Sequence, residues 1–83
     1  MVHTYTPRGV CTRQIQVEID NEIIKNVRFL GGCNGNTQGI AALVVGMNVQ
    51  EAIRKLRGID CGGRGTSCPD QLSYALEEAY ELI

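Results

Sequence analysis

Residues 11–30 read CTRQIQVEIDNEIIKNVRFL, and the alternation of apolar and polar side chains in this stretch decides the fold. Ile15, Val17 and Ile19 are separated by single polar residues, which is the period-two pattern of a strand with one wet face. A turn signal follows at residues 20–21, where an aspartate and an asparagine stand together. The stretch therefore predicts a β-hairpin that buries one of its faces.

Two more strands are predicted from neighbouring segments of the sequence. Residues 23–30 supply the second strand of the hairpin and end at a glycine-rich segment. Residues 2–6 alternate and are rich in strand-forming side chains, but this segment is short, and the Pro-Arg-Gly sequence at residues 7–9 breaks it. The sequence thus predicts an antiparallel sheet of about three strands.

The first helix is predicted after the glycine-rich loop that follows the hairpin. Either Asn36 or Thr37 can cap it, because both side chains carry an oxygen that accepts a hydrogen bond from the first turn. Ile40, Leu43 and Val44 have the i, i+3, i+4 spacing of one helical face. These three side chains are predicted to face the core.

Two further helices complete the predicted set. Asn48 and Glu51 have the spacing of a capping box, so the second helix is predicted to open there and to end at Gly58. The third is predicted to be capped by Cys68, with Pro69 in the first helical position that proline favours. Its apolar stripe consists of Leu72, Ala75, Leu76, Ala79 and Ile83.

Strands come first in the chain and helices follow, which predicts an α+β fold. We expect a small antiparallel sheet built on the hairpin, with the helices packed on one of its faces. The chain has 83 residues, so residues 1–83 are expected to form a single small domain. The core of such a domain is modest, and small folds often add a disulfide or a bound metal to it.

The charges are mixed along the chain and sum to −1. A dedicated nucleic-acid binder usually carries a basic stripe, and none is present in the sequence. No apolar run approaches the ~20 residues of a membrane span, and residues 1–8 lack the apolar core of a signal peptide. We therefore expect a cytoplasmic protein with neither a nucleic-acid nor a membrane partner.

The chain has four cysteines, Cys11, Cys33, Cys61 and Cys68, and each stands at the boundary of a predicted element. No pair has the CxxC spacing, so the prediction rests on these positions, which can meet at one end of the sheet. Cytosolic thiols stay reduced, which disfavours disulfides. Four thiolates at one point suit Zn²⁺ or an iron–sulphur cluster. We expect a metal site made of all four cysteines, with zinc as the leading candidate.

Other roles for these and neighbouring residues stay open. Cys61 and Cys68, or another pair, could act as a reversible thiol redox couple, and the cysteines could also be small core residues. Asp60 and Asp70 could be alternative metal ligands, although a turn residue and a helix-dipole residue are the simpler interpretations. His3 is expected to be solvated at a frayed end of the chain.

A nucleotide-binding regulatory module is a further alternative. Residues 31–39 follow a strand and precede a helix, as a phosphate-binding turn does. Their sequence matches neither GxGxxG nor GxxxxGK(S/T). On the last helix, Tyr74 and Tyr80 are expected to pack against neighbours, and the glutamates are expected to form a solvated face.

Residues 66–70 spell TSCPD, and two longer stretches accompany them: GGCNGN at 31–36 and CGGRGTSCPDQL at 61–72. By these motifs the chain resembles the TSCPD domain family, and within it the small stand-alone branch with four cysteines. The resemblance runs from about residue 3 to the end of the chain. It implies that the four cysteines of this sequence are the family's four, which are thought to bind metal.

In that family the domain also occurs at the C-terminus of vitamin-B12-dependent (class II) ribonucleotide reductases. The resemblance implies an accessory role linked to deoxyribonucleotide and DNA synthesis, in association with ribonucleoside-diphosphate reductase or another protein partner. The reductase reaction itself needs a large barrel, a radical cofactor and active-site thiols, which 83 residues cannot hold.

A more distant resemblance is to the U-type scaffold of iron–sulphur cluster assembly. In that scaffold one cysteine precedes a hairpin, another lies in a glycine loop before the helices, and a third opens the last helix. Cys11, Cys33 and Cys68 take those places, whereas Cys61 has no counterpart. A fourth cysteine in place of the scaffold's aspartate indicates a closed site, as in structural zinc centres. This resemblance implies the scaffold's fold, with an iron–sulphur scaffold or carrier as the alternative function.

Overall fold

The computed structural model has three strands followed by three helices. It describes residues 2–10, 12–31, 34–60, 62–63 and 65–82, and for residues 34–36 it describes the backbone alone. The elements are β1 (Val2–Tyr5), β2 (Thr12–Asp20), β3 (Ile23–Gly31), α1 (Asn34–Val44), α2 (Val49–Leu56) and α3 (Cys68–Glu81). The predicted α+β class and the order of its elements are confirmed.

The sheet is antiparallel, with the strands in the order β1-β2-β3. Ile15, Val17 and Ile19 of β2 are at most 1% exposed, so the alternating face of the hairpin is the buried one. Ile15 pairs with Phe29 and Val17 with Val27, which extends this face onto β3. The helices can therefore pack against this apolar face of the sheet.

The hairpin turn is one residue later than its sequence signal. β2 runs through Asp20, and the two turn residues are Asn21 and Glu22, which have φ angles of 55° and 66°. Two consecutive residues with positive φ fit the right-handed twist of a hairpin, which is why the turn takes this position. Glu22 accepts a hydrogen bond from Val49 N at 3.0 Å and one from the Tyr80 hydroxyl at 2.9 Å. Glutamate seldom adopts a positive φ angle, and these contacts to α2 and α3 hold Glu22 in that conformation.

α1 begins earlier than the sequence predicts. The glycine pattern at residues 31–36 predicts a loop, but β3 extends through Gly31 and α1 starts at Asn34. A glycine inside a helix costs about 1 kcal/mol relative to alanine without forbidding the helix. Since α1 packs on β3, tertiary contact outweighs that local preference.

The buried face of α1 also differs from the predicted one. The sequence places Leu43 in the core, but this side chain is 78% exposed. Thr37 and Val44 are each 3% exposed, and Ile40 and Ala41 pack against the core. These four positions lie side by side on a helix with 3.6 residues per turn. Leu43 falls outside that arc, so its i+3 spacing from Ile40 is misleading.

The second helix opens at its predicted cap, and the third buries the described part of its predicted stripe. Asn48 caps α2 and accepts hydrogen bonds from the backbone N–H groups of Gln50 and Glu51. The buried stripe of α3 consists of Leu72, Ala75, Leu76 and Ala79, and Ile83 lies outside the described residues. Side chains from β2, β3 and all three helices form one apolar cluster on a single face of the sheet. No helix in the described part of the chain has the length and apolar character needed to cross a membrane.

Candidate functional site

Cys68 is the first residue of α3, and it reaches the start of the sheet. Its Sγ atom lies 3.2 Å from Oγ1 of Thr12, the first residue of β2. The Thr12 side chain is 3% exposed, and Cys68 is partly exposed. The junction between β2 and α3 therefore holds a thiol within hydrogen-bonding distance of a buried hydroxyl.

The other three predicted ligands, Cys11, Cys33 and Cys61, lie outside the described residues. The prediction that they join Cys68 in one metal site therefore stays a prediction. Within the part of the chain that the structure describes, no three His, Cys, Asp or Glu side chains form a group that could hold a metal ion.

Ser67, and not Cys68, is the N-cap of α3. The Ser67 hydroxyl accepts a hydrogen bond from Asp70 N at 3.1 Å and donates one to the carbonyl oxygen of Ile59 at 2.6 Å. Serine is a strong N-cap because its short side chain brings an oxygen to the free N–H groups of the first turn. The predicted cap is one residue too late, and Cys68 is consequently inside the first turn, directly before Pro69.

Asp70 has a larger role than the predicted interaction with the helix dipole. It is 5% exposed, and both of its carboxylate oxygens accept hydrogen bonds: Oδ1 from Gly58 N at 2.7 Å and Oδ2 from Thr66 Oγ1 at 2.6 Å. The carboxylate is thus used to fasten the loop before α3. The Ser67-x-x-Asp70 spacing of a capping box is the sequence signal for a structural role here.

Gln71 extends this group of contacts to the N-terminal segment. Its Oε1 atom accepts hydrogen bonds from the backbone N–H of Arg8 at 3.0 Å and from the Tyr5 hydroxyl at 3.3 Å. Its Nε2 atom donates to Thr66 Oγ1 at 2.9 Å. Sequence reasoning does not single out Gln71, because its partners are far away in the chain and no local pattern identifies them.

Asp60 has the turn role that is the simpler of its two interpretations. Its carboxylate accepts hydrogen bonds from the backbone N–H groups of Gly63 and Gly65. Both glycines have positive φ angles, 83° and 82°, which other L-residues rarely adopt. The carboxylate therefore shapes the loop before α3.

The sequence suggests that His3 is solvated at a frayed end of the chain, but the structure places it in β1. It pairs with Val17 in the sheet, and its Nε2 atom lies 2.7 Å from Glu78 Oε1. The His3 side chain is 17% exposed. β1 is thus tied to α3 as well as to β2, which explains why so short a strand is retained.

Arg57 follows α2 and joins it to both buried and exposed residues of α3. Its Nε atom donates to Ser73 Oγ at 2.8 Å, and its guanidinium lies 4.0 Å from the centre of the Tyr74 ring. Nη2 is 3.4 Å from Glu77 Oε1. Tyr74 has the packing role that the sequence predicts, while Glu77 is paired as well as solvated.

The segment considered for nucleotide binding borders a small cavity between β3 and α1. Its volume is about 210 Å³, below the roughly 300–1,000 Å³ of typical ligand pockets. It is lined by Val27, Arg28, Phe29, Thr37, Gln38 and Ala41. The small volume does not favour a nucleotide, and the nucleotide hypothesis stays a prediction.

Two electrostatic effects act on tyrosines beside these contacts. Burial raises the pKa of Tyr5 above its ordinary value of 10.0, and the negative charge of Glu78 adds to the rise. The hydrogen bond from Tyr80 to Glu22, together with the charge of that carboxylate, raises the pKa of Tyr80. Both phenols are therefore protonated donors at neutral pH.

The chain matches the model of a known protein family. The TSCPD domain matches residues 1–80 of the chain, which include the motifs at residues 31–36 and 61–72. Neither the curated proteins nor the solved structures that were compared with the chain gave a match. The resemblance to the U-type iron–sulphur scaffold therefore stays a prediction.

Proposed function

We propose that this chain, which belongs to the TSCPD domain family, is a metal-binding module whose four cysteines hold one zinc ion. The contact between Thr12 and Cys68 carries the proposal. Thr12 follows Cys11 in the sequence, so this contact joins the start of β2, next to one predicted ligand, to another predicted ligand at the start of α3.

Described residues near Cys33 and Cys61 also contact the junction between β2 and α3. Gly31, two residues before Cys33, pairs with Thr12 in the sheet. Ile59, two residues before Cys61, accepts the hydrogen bond from Ser67, which precedes the thiol of α3. Segments next to all four cysteines are thus linked at one end of the fold, as a shared site requires.

The chemistry of the donors favours zinc. Thiolates are soft ligands that bind Zn²⁺ in a tetrahedral arrangement with Zn–S distances of about 2.3 Å, and sites with four cysteine ligands are usually structural. Such a site would add a large stabilising term to a small core. The two aspartates within two residues of a cysteine support this choice of ligands, because Asp60 and Asp70 already use their carboxylates on N–H and O–H donors.

The test is elemental analysis of untagged protein purified without added metal, together with its absorbance spectrum. One zinc per chain and no visible colour is the expected result. Iron with acid-labile sulphide would replace the zinc proposal with the iron–sulphur scaffold or carrier. Four free thiols without metal, in a folded protein, would refute metal binding and favour the redox or purely structural role.

Substitution of each cysteine tests the ligand set one position at a time. Cys11→Ser, Cys33→Ser, Cys61→Ser and Cys68→Ser should each lower the zinc content. Leu43→Ser is the matched control, because Leu43 is 78% exposed and makes no part of the core. A cysteine variant that keeps a full equivalent of zinc removes that residue from the set.

The second part of the proposal concerns the partner. The same domain at the C-terminus of class II ribonucleotide reductases suggests an accessory protein for deoxyribonucleotide synthesis, acting in the cytoplasm on or beside a reductase. The experiment is a binding titration of the zinc-loaded chain with a purified class II reductase. Saturable binding that is lost in Cys68→Ser supports the accessory role, and absence of binding at high micromolar concentration refutes it.

A further inference from the structure

We propose that Asp70 is a positioning residue, which fixes the chain segments beside three of the cysteines in the arrangement that metal binding needs. The inference rests on the proposed function for its metal-binding consequence. Its structural basis is the chain of hydrogen bonds that ends on the Asp70 carboxylate, described above. Asp70 does not touch the metal in this proposal.

The hydrogen-bond chain runs in one direction. Tyr5 and the Arg8 backbone donate to Gln71, Gln71 donates to Thr66, and the Thr66 hydroxyl donates to Asp70. The group at the end of such a chain only accepts hydrogen bonds, and the Asp70 carboxylate accepts with both of its oxygens. The second oxygen is free to accept from Gly58, which it does at 2.7 Å.

Each end of this chain lies near a cysteine in the sequence. Arg8 is three residues before Cys11, and Gly58 is three residues before Cys61. Asp70 itself is two residues after Cys68. The Asp70 carboxylate therefore connects the loop that follows α2 directly to Thr66 and the first turn of α3. The segment that leads into β2 joins the same network through Gln71.

Close packing reinforces the link between the N-terminal segment and Thr66. Gly9 has a φ angle of 74°, and a Cβ atom at this position would lie 3.0 Å from Thr66 Cγ2. Only glycine meets both conditions without strain. The segment is thus held against the loop by contact as well as by the hydrogen bonds of Gln71.

Asp70→Asn is the decisive variant. It keeps the shape of the side chain but replaces one acceptor oxygen by an NH₂ group. Either this group faces the Gly58 N–H, which is also a donor, or it faces Thr66, whose hydroxyl must then accept a hydrogen bond where it now donates one. Loss of a partner that orients metal ligands typically costs about 10–100-fold in metal affinity. We expect a loss of this size in Co²⁺ affinity, with weaker and shifted ligand-field bands, while the circular dichroism spectrum stays folded.

Three controls separate positioning from charge and stability. Glu81→Gln removes one carboxylate from the exposed end of α3 and should leave Co²⁺ affinity unchanged. Val49→Ala weakens the core at a fully buried site and should lower the melting temperature without changing the Co²⁺ spectrum of the folded protein. Thr66→Val breaks the same hydrogen-bond chain at its middle, and it becomes the deciding variant if Asp70→Asn does not fold.

The outcomes distinguish this inference from the proposed function. Co²⁺ affinity and spectrum within twofold of the unmodified protein, in Asp70→Asn or in Thr66→Val as its substitute, would overturn the positioning role and leave the zinc proposal intact. If the unmodified chain binds no Co²⁺, the zinc proposal fails. The metal-free protein then decides the positioning role: faster amide exchange at Gly58 and Arg8 in Asp70→Asn supports it, and unchanged exchange refutes it.

Discussion

The Sγ atom of Cys68 lies 3.2 Å from Oγ1 of Thr12, so the first residue of α3 touches the first residue of β2. A hydroxyl at this distance can donate a hydrogen bond to sulphur when the thiol is deprotonated. Hydrogen bonds of this kind orient metal ligands and tune the charge on them. We therefore expect the Thr12 hydroxyl to contribute to metal affinity.

Thr12→Val should weaken metal binding about 10-fold, because it removes the donor to Cys68 while keeping the shape of a buried side chain. The measurement is a competition titration of Zn²⁺ against a coloured chelator. Thr4→Val is the matched control, since Thr4 is exposed on β1. Equal affinities for Thr12→Val and the unmodified protein would contradict a role for the hydroxyl.

Removal of zinc should unfold the domain or lower its melting temperature strongly. Structural zinc sites contribute binding free energies of about 10–16 kcal/mol, which is comparable with the roughly 5–15 kcal/mol that typically separates folded from unfolded domains. Far-UV circular dichroism before and after chelation at neutral pH checks this, with Cys68→Ser as a reference that should respond less. A spectrum unchanged after complete removal of zinc is incompatible with the prediction.

The hydrogen bond from Tyr80 to Glu22 should make stability depend on pH in the alkaline range. The pKa of Tyr80 is raised in the folded state by this hydrogen bond and by the charge of Glu22. The folded protein therefore holds the phenolic proton more tightly than the unfolded chain. The stabilising contribution is fully present below the ordinary pKa of 10.0 and is lost as the pH rises through the raised pKa.

Urea unfolding from neutral to strongly alkaline pH measures this effect. Tyr80→Phe should remove part of the pH dependence, and Glu22→Gln should reduce it, because glutamine can still accept the hydrogen bond but carries no charge. Absorbance titration of the phenolate should also find Tyr80 ionising at lower pH in Glu22→Gln. Identical pH profiles for all three proteins would exclude the contact as the cause.

The corrected face of α1 predicts a contrast between two leucines. Leu43→Ala should change the free energy of unfolding by no more than about 0.5 kcal/mol, as exposed substitutions usually do. Leu76→Ala should lower it by about 2–5 kcal/mol, because it opens a cavity at a fully buried site of α3. Chemical denaturation of both variants decides the matter, and similar losses would mean that Leu43 is covered in solution.

The sheet could be predicted from the sequence because the period of two in β2 belongs to one continuous segment. The spacing of Ile15, Val17 and Ile19 indicates by itself which face of β2 is buried. The face of α1 was harder. Leu43 and Val44 are both apolar, and the sheet alone decides which of them faces the core.

The polar contacts around α3 show the limit of such reasoning more clearly. The cap position is local, and a serine followed three residues later by an acid indicates it. The hydrogen bond from Gly58 to the Asp70 carboxylate joins two separate segments, and the spacing does not indicate it. Gln71 meets Tyr5 and Arg8 only after the chain has folded, so no local pattern identifies these partners. The proposed metal site has the same character, because it depends on where four distant cysteines come to lie.

The distance in sequence between Thr12 and Cys68 has a consequence for the living cell. The hairpin can form from nearby residues as the ribosome delivers them, but the junction at Thr12 cannot close until α3 has emerged. Closing so long a loop is entropically costly, and contacts between distant residues slow folding. The cysteines beside the hairpin are therefore synthesised before α3 can contact β2, and the proposed metal site would close only after α3 has emerged.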